Sequence, residues 1–267
     1  MSAHTMSEAI HDIRSGGFPD EGPEQSADRR GGRLPPVLMY HSVAPYEQDP
    51  YLVTVHPARF EQQMRWLHRH GLRGTSMREL LAARRAGADR GLVGLTFDDG
   101  YVDFGEYVLP ALARFGFTAT VFVIADLLGE SNKWDMAGPR KPLMTVNQIR
   151  HVAQLGMEIG SHSRRHVSLT SPCDLIGEVS ESRTILADLT GEQITGFCYP
   201  YGHLNALAVD AVRAAGYHYG CAIWRSPLTS LHALPRTYVG DRDGALRLRA
   251  KWYRLRYRNQ GYGARRR

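Results

Sequence analysis

Short apolar runs alternate along the chain with stretches in which apolar positions recur every third or fourth residue. Pro36-Val37-Leu38-Met39-Tyr40-His41 predicts a short buried strand that ends in a histidine. Phe60, Met64 and Leu67 then recur at helical spacing, and Gly71 marks a stop. Ser76 and Glu79 form a capping-box pair at the head of a second helix, which carries Leu80 and Leu81. Leu92–Phe97 predicts a strand, Tyr107–Phe115 a helix and Ala119–Ile124 a further strand. Asp126–Pro142 holds Gly, Pro, Asn and Lys with no period, and a loop of that length inside a compact domain is often functional.

Thr145 and Gln148 make a second capping box, opening a helix that Gly156 ends. Met157–Gly160 is a short strand. Ser171 is the expected cap of a helix running through Leu175, Val179 and Leu186 to a stop at Gly191. Thr195–Cys198 is strand-like, and Asn205 opens a helix through Val209 and Val212 that Gly216 closes. Tyr217–Ile223 and Leu234–Val239 are the last strands. Alternating strands and helices imply parallel strands joined by right-handed crossovers. Such a chain builds either an open doubly wound sheet or a closed barrel, and it shows no internal repeat and no Gly-rich phosphate loop.

Charge changes this picture at the two ends. Ser15–Pro36 is rich in Gly, Pro, Ser and charge, which predicts a disordered leader over residues 1–35. The first residues lack the apolar centre of a secretory signal, and no apolar run is long enough to span a bilayer, so the expectation is a cytoplasmic protein. The formal net charge is +6, but residues 244–267 contribute eight Arg, one Lys and no acid, which leaves −3 for the rest. The basic balance therefore belongs to a C-terminal helix or tail. That tail reads either as a solvated terminal helix or as a contact for an anionic membrane surface or an acidic partner. No nucleic-acid motif accompanies it, so no specific nucleic-acid binding is expected. Cys173, Cys198 and Cys221 are odd in number and lack zinc spacing, which reads as buried thiols.

The candidate chemistry gathers at the ends of predicted strands. Leu95-Thr96-Phe97-Asp98-Asp99-Gly100 closes an apolar run with two adjacent carboxylates. Side chains alternate along a strand, so Asp98 and Asp99 need different environments, one suited to holding a cation and one to taking a proton. The same composition also reads as a helix N-terminus or turn. His162 and His166 stand four apart in Gly160-Ser161-His162-Ser163-Arg164-Arg165-His166. With Asp99 they offer an O,N,N set, the pattern of an open catalytic zinc site, and iron, cobalt, nickel or manganese could use the same ligands. Gly196-Phe197-Cys198-Tyr199-Pro200-Tyr201-Gly202 is a strand ending in an aromatic turn. It reads either as a packed turn or as a groove wall whose Tyr201 backbone N–H could hold an oxyanion. His41, Asp98, Asp99, His162 and Tyr201 all fall at or just past C-terminal strand ends, the face that carries the chemistry in barrels.

Three of these motifs, Thr96-Phe97-Asp98-Asp99-Gly100, His162-Ser163-x-x-His166 and Tyr199-Pro200-Tyr201-Gly202, resemble in order and spread the polysaccharide deacetylases, the NodB-homology enzymes of carbohydrate esterase family four. The resemblance runs from about Pro36 to Val239 and implies one α/β domain over residues 36–243, a distorted (β/α) barrel. It implies divalent-metal-dependent removal of N-acetyl groups from an N-acetylated sugar. In that reading Asp99, His162 and His166 hold the metal, most simply zinc, Asp98 is the base, and the Tyr201 N–H holds the oxyanion. Two departures stand out. The family has an arginine two residues before the proline of the third motif, where this chain has Cys198. The family's Leu-x-His motif near the C-terminus has no good match either, since Leu231-His232 lacks a preceding apolar strand. Leu38-Met39-Tyr40-His41 instead resembles that strand moved to the front, as in the permuted subgroup, which makes His41 the acid. Arg236, after a late strand, is the candidate to replace the missing arginine. Two other readings use the same features: an amidohydrolase of cyclic or other non-sugar amides, and a catalytically silent sugar-binding module.

Overall fold

The computed structural model describes residues 36–258, apart from 224, 225, 227 and 229. The expected leader over residues 1–35 and the end of the basic tail, 259–267, lie outside the described residues. The strands are β1 Val37–Tyr40, β2 Ser42–Val43, β3 Thr54–Val55, β4 Arg73–Thr75, β5 Leu92–Phe97, β6 Thr120–Val123, β7 Glu158–Ser161, β8 Gly196–Cys198, β9 Tyr219–Ala222, β10 Leu234–Pro235 and β11 Thr237–Tyr238. Between them lie α1 Pro57–Arg69, α2 Met77–Ala86, α3 Leu109–Ala113, α4 Val146–Gln154, α5 Ser182–Thr190 and α6 Ala206–Ala214, and α7 Ala245–Arg258 follows the last strand.

Nine strands form one sheet in the order β10-β9-β8-β7-β6-β5-β1-β11, with β4 also paired to β5. Every recorded pair in it is parallel. β10 and β11 end this path on opposite edges, yet a single residue, Arg236, separates them in sequence. One bent segment thus pairs with β9 through its first half and with β1 through its second. It brings the two edges together and nearly closes a barrel, so the closed alternative of the sequence reading holds within a single α/β domain.

The strands read as apolar runs because both of their faces are covered. All of β1, β5 and β6 is buried. Tyr40 stacks on Phe97 at 5.2 Å between ring centroids, with Phe60 of α1 edge-on to Tyr40 at 5.4 Å. Gly160 is required where β7 passes its neighbours, because a Cβ there would lie 2.5 Å from the Phe122 ring and 3.2 Å from the Gly196 carbonyl oxygen.

The helix ends follow the sequence with three differences. Thr145 and Gln148 form both halves of the expected capping box. Ser76 caps α2, but its own N–H donates to Thr118 Oγ1 (3.0 Å), while Glu79 accepts from that threonine. The reciprocal half of the box has been taken over by a tertiary contact. The helix expected from Ser171 starts later, with Asp174 accepting from the Gly177 N–H (3.1 Å) and a π-helical turn over Gly177–Glu181 before α5. The helix predicted over Tyr107–Phe115 likewise begins as a π turn, Phe104–Val108, ahead of α3. Pro110 has no N–H to give the preceding turn, and the Leu109 N–H reaches Phe104 O instead. Of the three thiols, Cys198 and Cys221 are buried and Cys173 is only partly so. Among the described residues no helix is long and apolar enough to cross a membrane.

Candidate active site

The C-terminal ends of β1, β5, β7 and β8, together with the β10–β11 bend, converge on one mouth. Asp98 is the first residue past β5, and its N–H donates to Tyr40 O (3.0 Å). Its carboxylate lies in the fork of Arg236: Nη1 donates to Oδ1 (2.6 Å) and Nη2 to Oδ2 (2.7 Å). The remaining guanidinium donors are also engaged, by Ala222 O, Thr96 Oγ1 and Cys198 Sγ. A fully buried guanidinium requires such complete pairing. Burial pushes the Asp98 carboxyl up, but the Arg236 charge and hydrogen bonds outweigh it and hold the group below the usual carboxylate range. Cys198 occupies the position where an arginine was expected, and its thiol lies between Asp98 (3.5 Å) and Arg236 (3.1 Å). His41 follows β1 directly, with Nε2 3.9 Å from Asp98 Oδ2 and a buried Nδ1 that has no hydrogen-bond partner among the described residues.

Asp99 turns the other way because its backbone is left-handed (φ +72°), and Gly100 continues in the same region (φ +73°). Its Oδ1 faces His162 Nε2 at 3.3 Å and His166 Nε2 at 3.4 Å. The His162 Nδ1 lies 2.8 Å from the Cys198 carbonyl oxygen. A carbonyl only accepts, so Nδ1 carries a proton, and in the neutral ring Nε2 is then the atom that presents a lone pair. Asp99 Oδ1 is buried without a hydrogen bond of acceptable geometry, although two ring nitrogens stand close to it. The ligand atoms of Asp99, His162 and His166 lie within 4.8 Å of one another. An orphaned carboxylate oxygen and a lone pair aimed at the same point fit a divalent cation with O,N,N ligands. Asp98, His162 and Cys198 are as close together, but Arg236 already holds Asp98, and burial pushes the Cys198 thiol well above its ordinary range, which keeps it protonated.

The third motif lines the mouth. Tyr201 is left-handed (φ +58°) and 45% exposed, and its ring packs on His166 at 4.7 Å. His232 stays out of the site: its Nε2 meets Tyr217 O (2.8 Å) and its own carbonyl accepts from Tyr199 OH (2.7 Å). Several site neighbours escaped the motif reading. Trp134 also packs against His166, with ring centroids 4.3 Å apart. Asp135 beside it accepts from Asn132 Nδ2 (3.3 Å), and Tyr101 OH comes within 3.5 Å. Both acid and tryptophan come from the unpatterned loop Asp126–Pro142, whose length was the only sequence signal. Lys141 anchors that loop by donating to Ser42 Oγ (2.6 Å) and Thr54 Oγ1 (2.8 Å), just past His41.

Comparison with known proteins agrees with this architecture. The polysaccharide deacetylase family model matches residues 85–220, and the chain belongs to that family. It is similar to the putative polysaccharide deacetylase YxkH of Bacillus subtilis, 29% identical over 189 residues, which are 69% of this chain and 63% of that protein's length. It is 22% identical over 214 residues to a Staphylococcus aureus poly-β-1,6-N-acetyl-D-glucosamine N-deacetylase, covering 74% of this chain and 72% of the relative. Among solved structures, the Streptococcus pyogenes deacetylase PplD in complex with acetate superposes with a TM-score of 0.69 at 23% identity, over 81% of this chain and 96% of that one. At that identity the likeness concerns the fold.

Proposed function

We propose that the protein is a divalent-metal-dependent hydrolase that removes the acetyl group from an N-acetylated amino sugar, giving acetate and a free amine. The observation that carries this reading is the division of labour between neighbouring carboxylates. Asp98 is held by Arg236 with His41 alongside, and Asp99 faces two imidazole nitrogens. Asp99, His162 and His166 would hold the metal, which supplies Lewis acidity to a water and to the acetyl carbonyl. Asp98 is the base that takes the proton of the attacking water, and Arg236 orients its carboxylate for that task. The Tyr201 backbone N–H donates to the oxygen that gains negative charge as the carbonyl is attacked. His41 returns a proton to the departing nitrogen, since an amide nitrogen leaves badly as an anion. The name of the staphylococcal relative favours a β-linked N-acetylglucosamine as the reacting sugar.

The test is a screen of metal-reconstituted enzyme against N-acetylglucosamine donors, from methyl glycosides to oligomers, read by acetate and free amine in equal amounts. Ring opening of a cyclic ureide without acetate release from any sugar would overturn the reading in favour of a different amidohydrolase. Sugar binding without turnover would make the protein a silent module.

A further inference from the structure

A second cavity of about 640 Å³ opens beside the mouth. Its walls come from the segment after β2 and from the segment Tyr238–Arg254, at the same barrel end as His41 and Asp98. Thr54, on its wall, is the residue that Lys141 ties to the Trp134 loop, so the cavity and the mouth share a partition. The helix α7 forms one side. Leu248 is buried in the core and Trp252 packs on it, which fixes the helix face. The adjoining stripe, Arg247, Lys251 and Arg254 at i, i+4 and i+7, then lines the cavity.

The acids in this cavity are already engaged. Asp49 accepts from the Val53 and Thr54 N–H groups (3.1 and 2.8 Å). Asp241 accepts from the His56 N–H (2.9 Å) and Tyr46 OH (3.0 Å). Asp243 accepts from the Gly240 N–H (2.9 Å) and from Lys251. Arg242, Arg247 and Arg254 are exposed and form no ion pair among the described residues. A guest therefore meets three guanidinium forks that no described residue pairs, and the two tyrosines, Tyr46 and Tyr238. Guanidinium forks match phosphoryl oxygens in geometry and charge, and three of them exceed what one carboxylate can occupy.

We propose that this cavity is a binding site for a phosphate-class anion, either a soluble phosphorylated sugar or the phosphodiester headgroup of an anionic lipid. Taken with the deacetylase reading, on which only this extension rests, the anion would be the phosphate of the same glycoconjugate whose acetamido group lies at Asp98. The site itself is tested without turnover. Full-length protein is titrated calorimetrically with inorganic pyrophosphate, with N-acetylglucosamine 1-phosphate and with acetate. It is also sedimented with vesicles of phosphatidylglycerol or of phosphatidylcholine. Saturable binding of the soluble phosphates assigns a soluble ligand, and selective sedimentation with phosphatidylglycerol assigns a headgroup; either supports the site. In both cases Arg247→Gln/Arg254→Gln should weaken binding at least tenfold. Arg247→Lys/Arg254→Lys, which keeps the charge but loses the fork, should recover part of it. Binding of acetate as tight as that of the phosphates, no binding to either probe class, or binding indifferent to the double glutamine variant would each overturn the proposal. None of these results depends on whether the enzyme deacetylates anything, so failure here and failure of the proposed activity are separate outcomes.

Discussion

Asp98 enters the site with its carboxylate already in the Arg236 fork, and that pairing sets what each residue is worth. Breaking a buried ion pair from one side leaves an uncompensated charge and costs about 3–5 kcal/mol. Arg236→Met should therefore lower unfolding free energy by roughly that amount in urea titrations; a stability close to wild type would mean Asp98 finds another partner. Asp98→Asn keeps the volume and most hydrogen bonds but removes the proposed base. Turnover should fall by about 100- to 10,000-fold while metal content by elemental analysis stays unchanged. Full activity in that variant would move the base elsewhere. At Cys198 a thiol stands where an arginine was expected, next to the Asp98 carboxylate that Arg236 holds from the β10–β11 bend.

At the scale of elements, the sequence signals were accurate where the interaction is local. The Thr145–Gln148 box forms because both partners lie within one turn. Thr145→Ala should cost about 1 kcal/mol, measurable as a shift in the denaturation midpoint with an unchanged slope. An unaltered midpoint would mean that packing of α4 alone decides its start. The Ser76–Glu79 box fails by half because Thr118, far away in sequence, competes for the Ser76 N–H. The Ser171 cap gives way to Asp174 since several residues of that stretch can serve as N-caps and pattern alone does not rank them. Left-handed backbone at Asp99, Ser163, His166 and Tyr201 places the motif side chains, and no local preference announces it for a serine or a tyrosine.

For the whole molecule, barrel closure decides whether the site exists. The segment Leu234–Tyr238 joins β9 to β1, and the same bend delivers Arg236 to Asp98 across 138 positions of sequence. A metal on Asp99, His162 and His166 would bridge the ends of β5 and β7, so its removal should loosen the mouth as well as stop turnover. Chelation should lower the melting temperature reversibly. A ligand at a hundred times its dissociation constant stabilises by about 2.7 kcal/mol. A melting curve indifferent to chelator, with His166→Ala retaining full metal, would count against the proposed ligand set. The sequence by itself determined the order of the longer strands and helices, most of the caps, and the candidate side chains for the chemistry, because these depend on spacing within a few residues; it missed the short β2, β3 and β4 and read β10 and β11 as one strand. The tertiary structure alone decided that the alternation closes into a barrel, that Arg236 meets Asp98, that Trp134 covers His166, and that the basic face of α7 opens onto a cavity. Those outcomes depend on contacts between segments distant in the chain, where burial and pairing geometry choose among alternatives that local pattern leaves equal.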